Sequence, residues 1–331
     1  MKNNSFEEIW NKLKSSKRVI MSLHEGPDGD SLGSCTAMKY ILEKHLGISV
    51  ILISQDNMDE TLANLSFSKE VKFGKKFEDL KISNKDTLLF LDSGRISYNK
   101  DTKKEKIVQD KFIINIDHHI TNDFYGNLNY VDVNQPSVCS ILVDFFKTVK
   151  INFDSELSKR LLLGMCTDSD FFKHGNINKL FQDALFLMEK GANYLDDIIN
   201  PILNSQPLKM KKYYALLINN LKISKQKNFA YSSISYNKIK KLKLNLAEVR
   251  LGPVQLQDIK EFDFIFILVE LEDNIKGSFR SRKNIDVSIF AKALEGGGHK
   301  PAAAFILPKM SLKKAEKKVI EVINKVGIHK Y

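Results

Sequence analysis

Apolar positions in the first half of the chain fall into short continuous runs separated by stretches with helical spacing. Val19–Leu23 is such a run and leads into His24. Ser31–His45 has the spacing of a helix, and Ser49–Ser54 follows as a second strand. Thr87–Leu91 and Phe112–Ile116 are two more buried-type runs, and they lead directly into Asp92 and Asp117. Continuous apolar strands alternating with helices predict an α/β fold, with a mostly parallel sheet flanked by helices. In such sheets ligands bind beyond the carboxyl ends of the strands. His24, Asp92 and Asp117 fall at those ends.

Three helical stretches follow, at about Ser137–Val149, Ser155–Cys166 and Asn178–Lys190, with Gly191 as a helix stop. Asn193–Pro207 contains two prolines and reads as a connection, and Leu208–Leu221 is again helical. Beyond Lys222 the texture changes: Phe229–Tyr236 and Phe262–Leu271 are strand-like and Asp286–Leu294 is helical. The expected organisation is a first domain over 1–190, a linker over 191–215, and a smaller C-terminal α/β domain with a mixed sheet over 216–331.

Composition adds limits. A chain of 331 residues suits two domains, and 43% hydrophobic with 27% charged residues allows a large core under a solvated surface. No apolar run approaches the roughly 18–20 residues that span a bilayer. The N-terminal stretch reads as an amphipathic helix without the apolar region of a signal peptide. A cytoplasmic protein without membrane association is expected. Cys35, Cys139 and Cys166 lie in apolar or small-residue surroundings, which fits reduced core thiols rather than a disulfide framework. The net charge of +11 attracts polyanions. Its densest clusters, at Lys103-Lys104, Lys209–Lys212 and Lys238–Lys243, read first as solvated surface.

The chemistry concentrates in four places. In His24-Glu-Gly-Pro-Asp28-Gly-Asp30, Pro27 and Gly29 shape a turn that presents two carboxylates after an imidazole. Asp117-His118-His119 puts three ionisable groups directly after an apolar run, where unpaired charge is costly. Asp92 and the pair Asp168 and Asp170 supply further carboxylates. Clustered acids repel unless cations neutralise them. A binuclear site for divalent cations follows, and imidazole donors shift preference from Ca²⁺ towards Mn²⁺, Fe²⁺, Co²⁺ or Zn²⁺.

HEGPDGDSLGS, LDSG, IDHHITN and GMCTDSDFF, in this order, resemble the four motifs of the DHH phosphoesterase superfamily. GSFRSR and GGGHKPAAAF resemble its DHH-associated C-terminal domain, so the likeness runs from about Val19 to Phe305. It implies one metal held by His24, Asp28 and Asp92 and a second held by Asp30, Asp92, His118 and Asp168. Asp117 would orient His118, and His119 would face the substrate as electrostatic or general-acid partner. Two divalent cations are implied, Mn²⁺ first, with Mg²⁺, Co²⁺ or Fe²⁺ as alternatives. Asn122 either binds substrate or caps a turn. Asp170 stands where related motifs often carry glycine.

The C-terminal glycines Gly296, Gly297 and Gly298 would form a backbone nest for phosphate, with His299 and Lys300 adding donors. Arg280 and Arg282, two apart on a strand, would share a face and bind phosphate as forks. The two-domain size and the GGGH element resemble the branch of oligoribonucleases and 3′-phosphoadenosine-5′-phosphate phosphatases. The expected substrates are very short RNAs, dinucleotides and 3′-phosphoadenosine 5′-phosphate, with no membrane partner and a homodimer left open. The alternatives are a cyclic-dinucleotide or pApA phosphodiesterase, then an inorganic pyrophosphatase or a non-catalytic nucleotide- or RNA-binding protein.

Overall fold

In the computed structural model, which describes residues 2–95, 111–282 and 284–330, the chain divides into two compact units, Met1–Ser205 and Gln206–Tyr331. The first opens with helix α1 (Phe6–Lys14), started by a capping box between Ser5 and Glu8. Strands β1 (Arg18–Ser22), β2 (Ser49–Ser54), β3 (Lys72–Phe73), β4 (Asp86–Leu91), β5 (Phe112–Asp117) and β6 (Leu128–Val131) make one sheet in the order β3-β2-β1-β4-β5-β6. Every pairing in it is parallel. The short strands β3 and β6 at its edges were not legible as apolar runs.

Helix α2 (Gly29–Leu46) begins at an Asp28 N-cap and ends at Gly47, whose φ of +63° favours glycine. A one-turn helix α3 (Glu60–Ala63) follows β2. Helices α4 (Val138–Thr148) and α5 (Ser155–Asp168) start at Ser137 and Asp154, whose side chains accept from the Ser140 and Leu157 N–H groups. Helix α6 (Ile177–Glu189) packs on α5. Leucines, isoleucines and phenylalanines from these helices and from one face of the sheet form the core.

The stretch Asn193–Pro207 is not a plain connection. Tyr194–Leu203 is a π-helix with Pro201 inside it, capped by the Asn193 side chain. Ile198 and Ile202 bury themselves in the first core, so burial outweighs the proline signal. The expected linker over 191–215 is therefore structured: this helix belongs to the first unit, and α7 (Leu208–Asn219) to the second.

The second unit contains β7 (Lys222–Ser224), β8 (Phe229–Ile234), α8 (Tyr236–Leu242), α9 (Leu246–Arg250), β9 (Phe264–Glu270), β10 (Asn274–Ser281), α10 (Ser288–Ala293), β11 (Gly297–His299), β12 (Ala302–Pro308) and α11 (Leu312–Val326). Its sheet is mixed, ordered β11-β12-β10-β9-β8-β7, with β8 and β9 parallel and the other neighbours antiparallel. Phe264, Phe266 and Leu268 of β9 pack with α10 and α11 residues on one face, while Ile265, Ile267 and Val269 pack with Tyr213, Leu217 and Ile239 on the other. The alternation along β9 thus builds two cores with a period of two. Among the described residues no helix is long and apolar enough to cross a membrane.

Candidate metal centre

Close helix contact builds the site. A Cβ on Gly29 would lie 2.2 Å from Thr167 Oγ1, and one on Gly33 would lie 2.4 Å from the Arg160 carbonyl oxygen. A Cβ on Gly164 would lie 2.3 Å from Cys139 Sγ and 2.5 Å from Asp30 Oδ1. Only glycine lets α2 and α5 approach this closely, and that contact brings Asp168, the last residue of α5, to the start of α2.

Asp30 is fully buried in the first turn of α2. Its Oδ2 accepts from the Val138 N–H at 2.7 Å and its Oδ1 from the Cys139 N–H at 3.0 Å, both at the N-terminus of α4. That helix end favours a carboxylate by its free N–H groups and its dipole. Asp28 Oδ1 accepts from the Asp30 and Ser31 N–H groups at 3.1 and 3.0 Å, and its side chain stays 55% exposed.

Asp92 sits between the two halves. Its φ of +56° lies in the left-handed region, which Asp adopts more readily than most residues. Its Oδ2 lies 3.4 Å from His24 Nε2 and its Oδ1 3.5 Å from His118 Nε2. His24 Nε2 is also 3.4 Å from Asp28 Oδ1, and His118 Nε2 is 3.6 Å from Asp168 Oδ2. Three sets of side chains hold donor atoms within 4.8 Å of one another: His24, Asp28 and Asp92; Asp30, His118 and Asp168; and Asp92, His118 and His119.

The same crowding governs protonation. Burial and the Asp92 charge push the Asp30 carboxyl up to about 7. Burial and the Asp30 charge push Asp168 up to about 9. Burial works against Asp92 ionising, yet the imidazoles of His118 and His24 hold it well below the usual carboxylate range. Burial likewise opposes a charge on His118, but Asp92, Asp168 and Asp30 raise it to about 10. His24 rises well above its ordinary value against burial, through Asp28 and Asp92. Without bound cations, part of this acid cluster keeps protons, and the imidazoles serve as stand-in cations. The donor set fits divalent metals, which would take over that neutralising role.

Asp117 does not orient His118. It is fully buried and its Oδ1 accepts from His119 Nδ1 at 2.7 Å, which raises the His119 imidazole. Successive residues leaving a strand point to opposite sides, so Asp117 meets His119 and not its immediate neighbour. His118 Nδ1 lies 3.3 Å from the Gln135 carbonyl, an acceptor that no motif revealed. Asn122 is likewise committed within the protein. Its Nδ2 donates to Asp117 Oδ2 at 2.5 Å and to Asn115 Oδ1 at 2.8 Å, and its Oδ1 accepts from the Phe124 N–H at 2.7 Å. The turn-cap alternative holds, extended by a grip on Asp117, and Asn122 is corrected from substrate contact to support.

Five further side chains have their surroundings fixed. Asp170 has a φ of +47°, which explains why glycine suits the position, and its carboxylate pairs with Lys173 at 3.0 Å. Arg95 pairs with Asp123 at 3.0 Å on the exposed surface. The three cysteines are buried and free, and burial pushes the Cys166 thiol up to about 12.

In the second unit, Arg280 is half-buried on β10, and the described residues place no carboxylate against it. Its Nη1 donates to the Phe279 carbonyl at 2.8 Å, and burial lowers its pKa from the ordinary value. Arg282 is exposed just past the strand and donates to the Lys260 carbonyl at 3.2 Å. The glycine segment does not form the expected nest. Gly297, Gly298 and His299 form edge strand β11, pairing with Ala304, Ala303 and Ala302, and only Gly298 has a positive φ, at +136°. A nest needs alternating right- and left-handed residues, whereas ladder pairing here extends the chain. A Cβ on Gly298 would lie 2.6 Å from the Ala302 carbonyl oxygen, so close strand approach explains that glycine. The basic cluster Lys103-Lys104 lies outside the described residues.

Residues 18–167 match the model of the DHH family, N-terminal domain, and residues 226–325 match the DHHA1 domain. The chain belongs to the DHH family. Membership makes it a phosphoesterase, a hydrolase. It is 26% identical over 299 residues to the probable bifunctional oligoribonuclease and PAP phosphatase NrnA of Streptococcus mutans, covering 89% of this chain and 91% of that protein. It is 24% identical over 333 residues to the bifunctional oligoribonuclease and PAP phosphatase NrnA of Thermus thermophilus, covering 95% and 94%. The cyclic-di-AMP phosphodiesterase GdpP of Bacillus subtilis is 24% identical over 94% of this chain and 48% of its own. Among solved structures, an exopolyphosphatase-related protein from Bacteroides fragilis superposes with a TM-score of 0.85 at 20% identity, over 97% of this chain and 95% of that one. RecJ from Thermus thermophilus in complex with Mn²⁺ gives 0.61 at 13% identity, over 97% of this chain and 54% of that one. Both structures share the fold.

Proposed function

We propose that this DHH-family hydrolase is a metal-dependent phosphodiesterase that degrades very short oligonucleotides and dinucleotides to mononucleotides and removes a phosphate from 3′-phosphoadenosine 5′-phosphate. The observation that carries the reading is Asp92, whose two carboxylate oxygens face His24 and His118 separately. That arrangement suits two cations sharing one carboxylate. His24, Asp28 and Asp92 would hold one, and Asp30, Asp92, His118 and Asp168 the other. Bound there, the cations would supply Lewis-acid activation of water and charge neutralisation at the scissile phosphate. Mixed imidazole and carboxylate donors favour Mn²⁺ over Ca²⁺.

The chain's own residues supply the rest. Buried Asp117 holds the Nδ1 proton of His119, which leaves Nε2 for the substrate. From there His119 donates a proton to the leaving oxygen and stabilises its charge. Arg280, enclosed and without a carboxylate partner among the described residues, offers a fork for a substrate phosphate, and Arg282 and His299 add donors. The likeness to the two NrnA proteins supports short RNA and the 3′-phosphorylated nucleotide as substrates. The likeness to GdpP favours, as a second reading, cyclic dinucleotides or pApA.

Mn²⁺-supported turnover of pApA, a 5-mer RNA, a 24-mer RNA, cyclic di-AMP and 3′-phosphoadenosine 5′-phosphate, compared side by side, separates these readings. The proposal expects the highest kcat/KM on the shortest linear substrates. Equal kcat/KM on pApA and the 24-mer contradicts the short-substrate claim, and preference for the cyclic compound selects the second reading.

A further inference from the structure

The positive charge of this chain is not spread evenly. Residues 206–331 carry 25 Lys and Arg against 11 Asp and Glu, net +14, whereas residues 1–205 carry 26 against 29, net −3. A general taste for lysine would have raised both units alike. Within the second unit the excess is steepest over 206–250, with eleven basic residues and a single acid, Glu248. That acid is buried and paired with Lys209 at 2.7 Å, so it offers no counter-charge to the surface.

The fold gathers this charge on one layer. Helices α7 and α8 pack against each other on the same face of the sheet, through Met210, Tyr213, Tyr214, Leu217 and Ile239. Their outward positions carry Lys211, Lys212, Lys238, Lys240 and Lys241, and Lys243 caps α8. All six are exposed, and none has an ion-pair partner among the described residues. By contrast Lys222, on β7, is bound to Glu316 at 2.7 Å. Six like charges on adjacent helices repel one another, which a free surface has no folding reason to keep.

We propose that the α7–α8 face is a binding surface for the phosphate backbone of RNA, separate from the residues of the metal centre and from Arg280. Its ligand is a polyanion read by charge and not by base. The outward side of α8 presents Asn237, Lys238, Lys240 and Lys241, and α7 adds two exposed apolar side chains, Leu208 and Ile218, one near each of its ends. Six lysines around two separated apolar side chains suit a phosphate chain better than insertion into a lipid interface, which needs a continuous apolar face. Such a surface holds the protein on longer RNA without cleaving it, so that short fragments are met where they arise. The RNA identity of the ligand rests on the proposed function; the surface itself rests on charge and placement.

The test uses the full chain without added metal and with chelator, so that no RNA is cut. Fluorescence anisotropy with a labelled 24-mer RNA is read across salt concentration, beside dinucleotide turnover with Mn²⁺. The quadruple variant K211Q/K212Q/K240Q/K241Q is expected to weaken binding at least about tenfold at low salt and to flatten the slope of log K on log salt by about 3, at roughly 0.7 per phosphate contact on a single strand. Its dinucleotide turnover stays within about twofold, which separates this surface from the catalytic reading. A control, K313Q/K314Q/K317Q/K318Q on α11, removes the same charge from the other face and is expected to leave affinity within about twofold. The proposal is overturned by an unchanged slope in the first variant, or by equal losses in both. It is also overturned if the wild type binds phosphatidylcholine–phosphatidylserine vesicles and not RNA.

Discussion

Asp117 accepts a hydrogen bond from His119 Nδ1 at 2.7 Å, and Asn122 holds its other oxygen at 2.5 Å. His119 is thus the imidazole fixed by a buried carboxylate, while His118 rests on a backbone carbonyl.

Replacing Asp117 by Asn therefore lowers kcat by about 10²-fold or more, the range of a lost general acid or of its wrong tautomer. Metal content stays near that of the wild type. Steady-state kinetics with Mn²⁺ and elemental analysis of the purified variant check this. Loss of metal with intact kcat per loaded site would return Asp117 to a role on His118. Asn122→Ala is expected to reduce kcat in the same direction by a smaller factor.

Gly164→Ala tests the helix contact beneath the site. Its new Cβ meets Cys139 Sγ and Asp30 Oδ1, at 2.3 and 2.5 Å before relaxation. Overpacking of this kind costs about 1–3 kcal/mol. For a unit of this size that is a fall in Tm of about 5 °C. Calorimetry reads it, and an unchanged Tm with full activity would mean that α2 and α5 tolerate separation.

Protons compete with metal here. In the metal-free chain Asp168 is pushed up to about 9 and His118 to about 10, so both carry protons at pH 7. Metal needs them deprotonated, and the free form therefore binds more protons than the loaded form. Apparent Mn²⁺ affinity rises as pH climbs from 6.5 to 8.5, and loading releases protons. Calorimetric titration in two buffers of different ionisation enthalpy measures that release. Identical affinity at both pH values would contradict the crowding.

Arg18 grips Asp86 through Nε at 2.8 Å and Nη2 at 2.6 Å, and this holds the Asp86 carboxyl below its ordinary value. A depressed carboxyl contributes stability above its unfolded pKa and loses it as pH falls through the folded one. Asp86→Asn is accordingly less stable than the wild type at pH 7, and the gap closes towards pH 3. Urea unfolding at both pH values checks the sign.

The parallel sheet and both ends of the acid–imidazole cluster were legible because continuous apolar runs lead directly into His24, Asp92 and Asp117. Two things were not. Backbone partners have no side-chain signature, so Gln135 holding His118 and the α4 N–H groups holding Asp30 were invisible. Strand pairing decides glycine conformation, so GGGH reads equally as a nest or as an edge strand until β12 lies beside it. Asn115 did leave a trace, as a polar residue inside the run FIINID. Fully buried, it donates to the Phe90 and Ser93 carbonyls and accepts from Asn122.

If one carboxylate joins two metal sites, Asp92→Ala removes a ligand from both at once. Equilibrium dialysis with Mn²⁺, read beside dinucleotide hydrolysis, should give two ions per wild-type chain. The variant should lose tight binding of both ions, with turnover down by about 10³-fold or more, the scale of several kcal/mol of lost metal catalysis. A variant that binds two ions and hydrolyses the dinucleotide like the wild type would contradict the account.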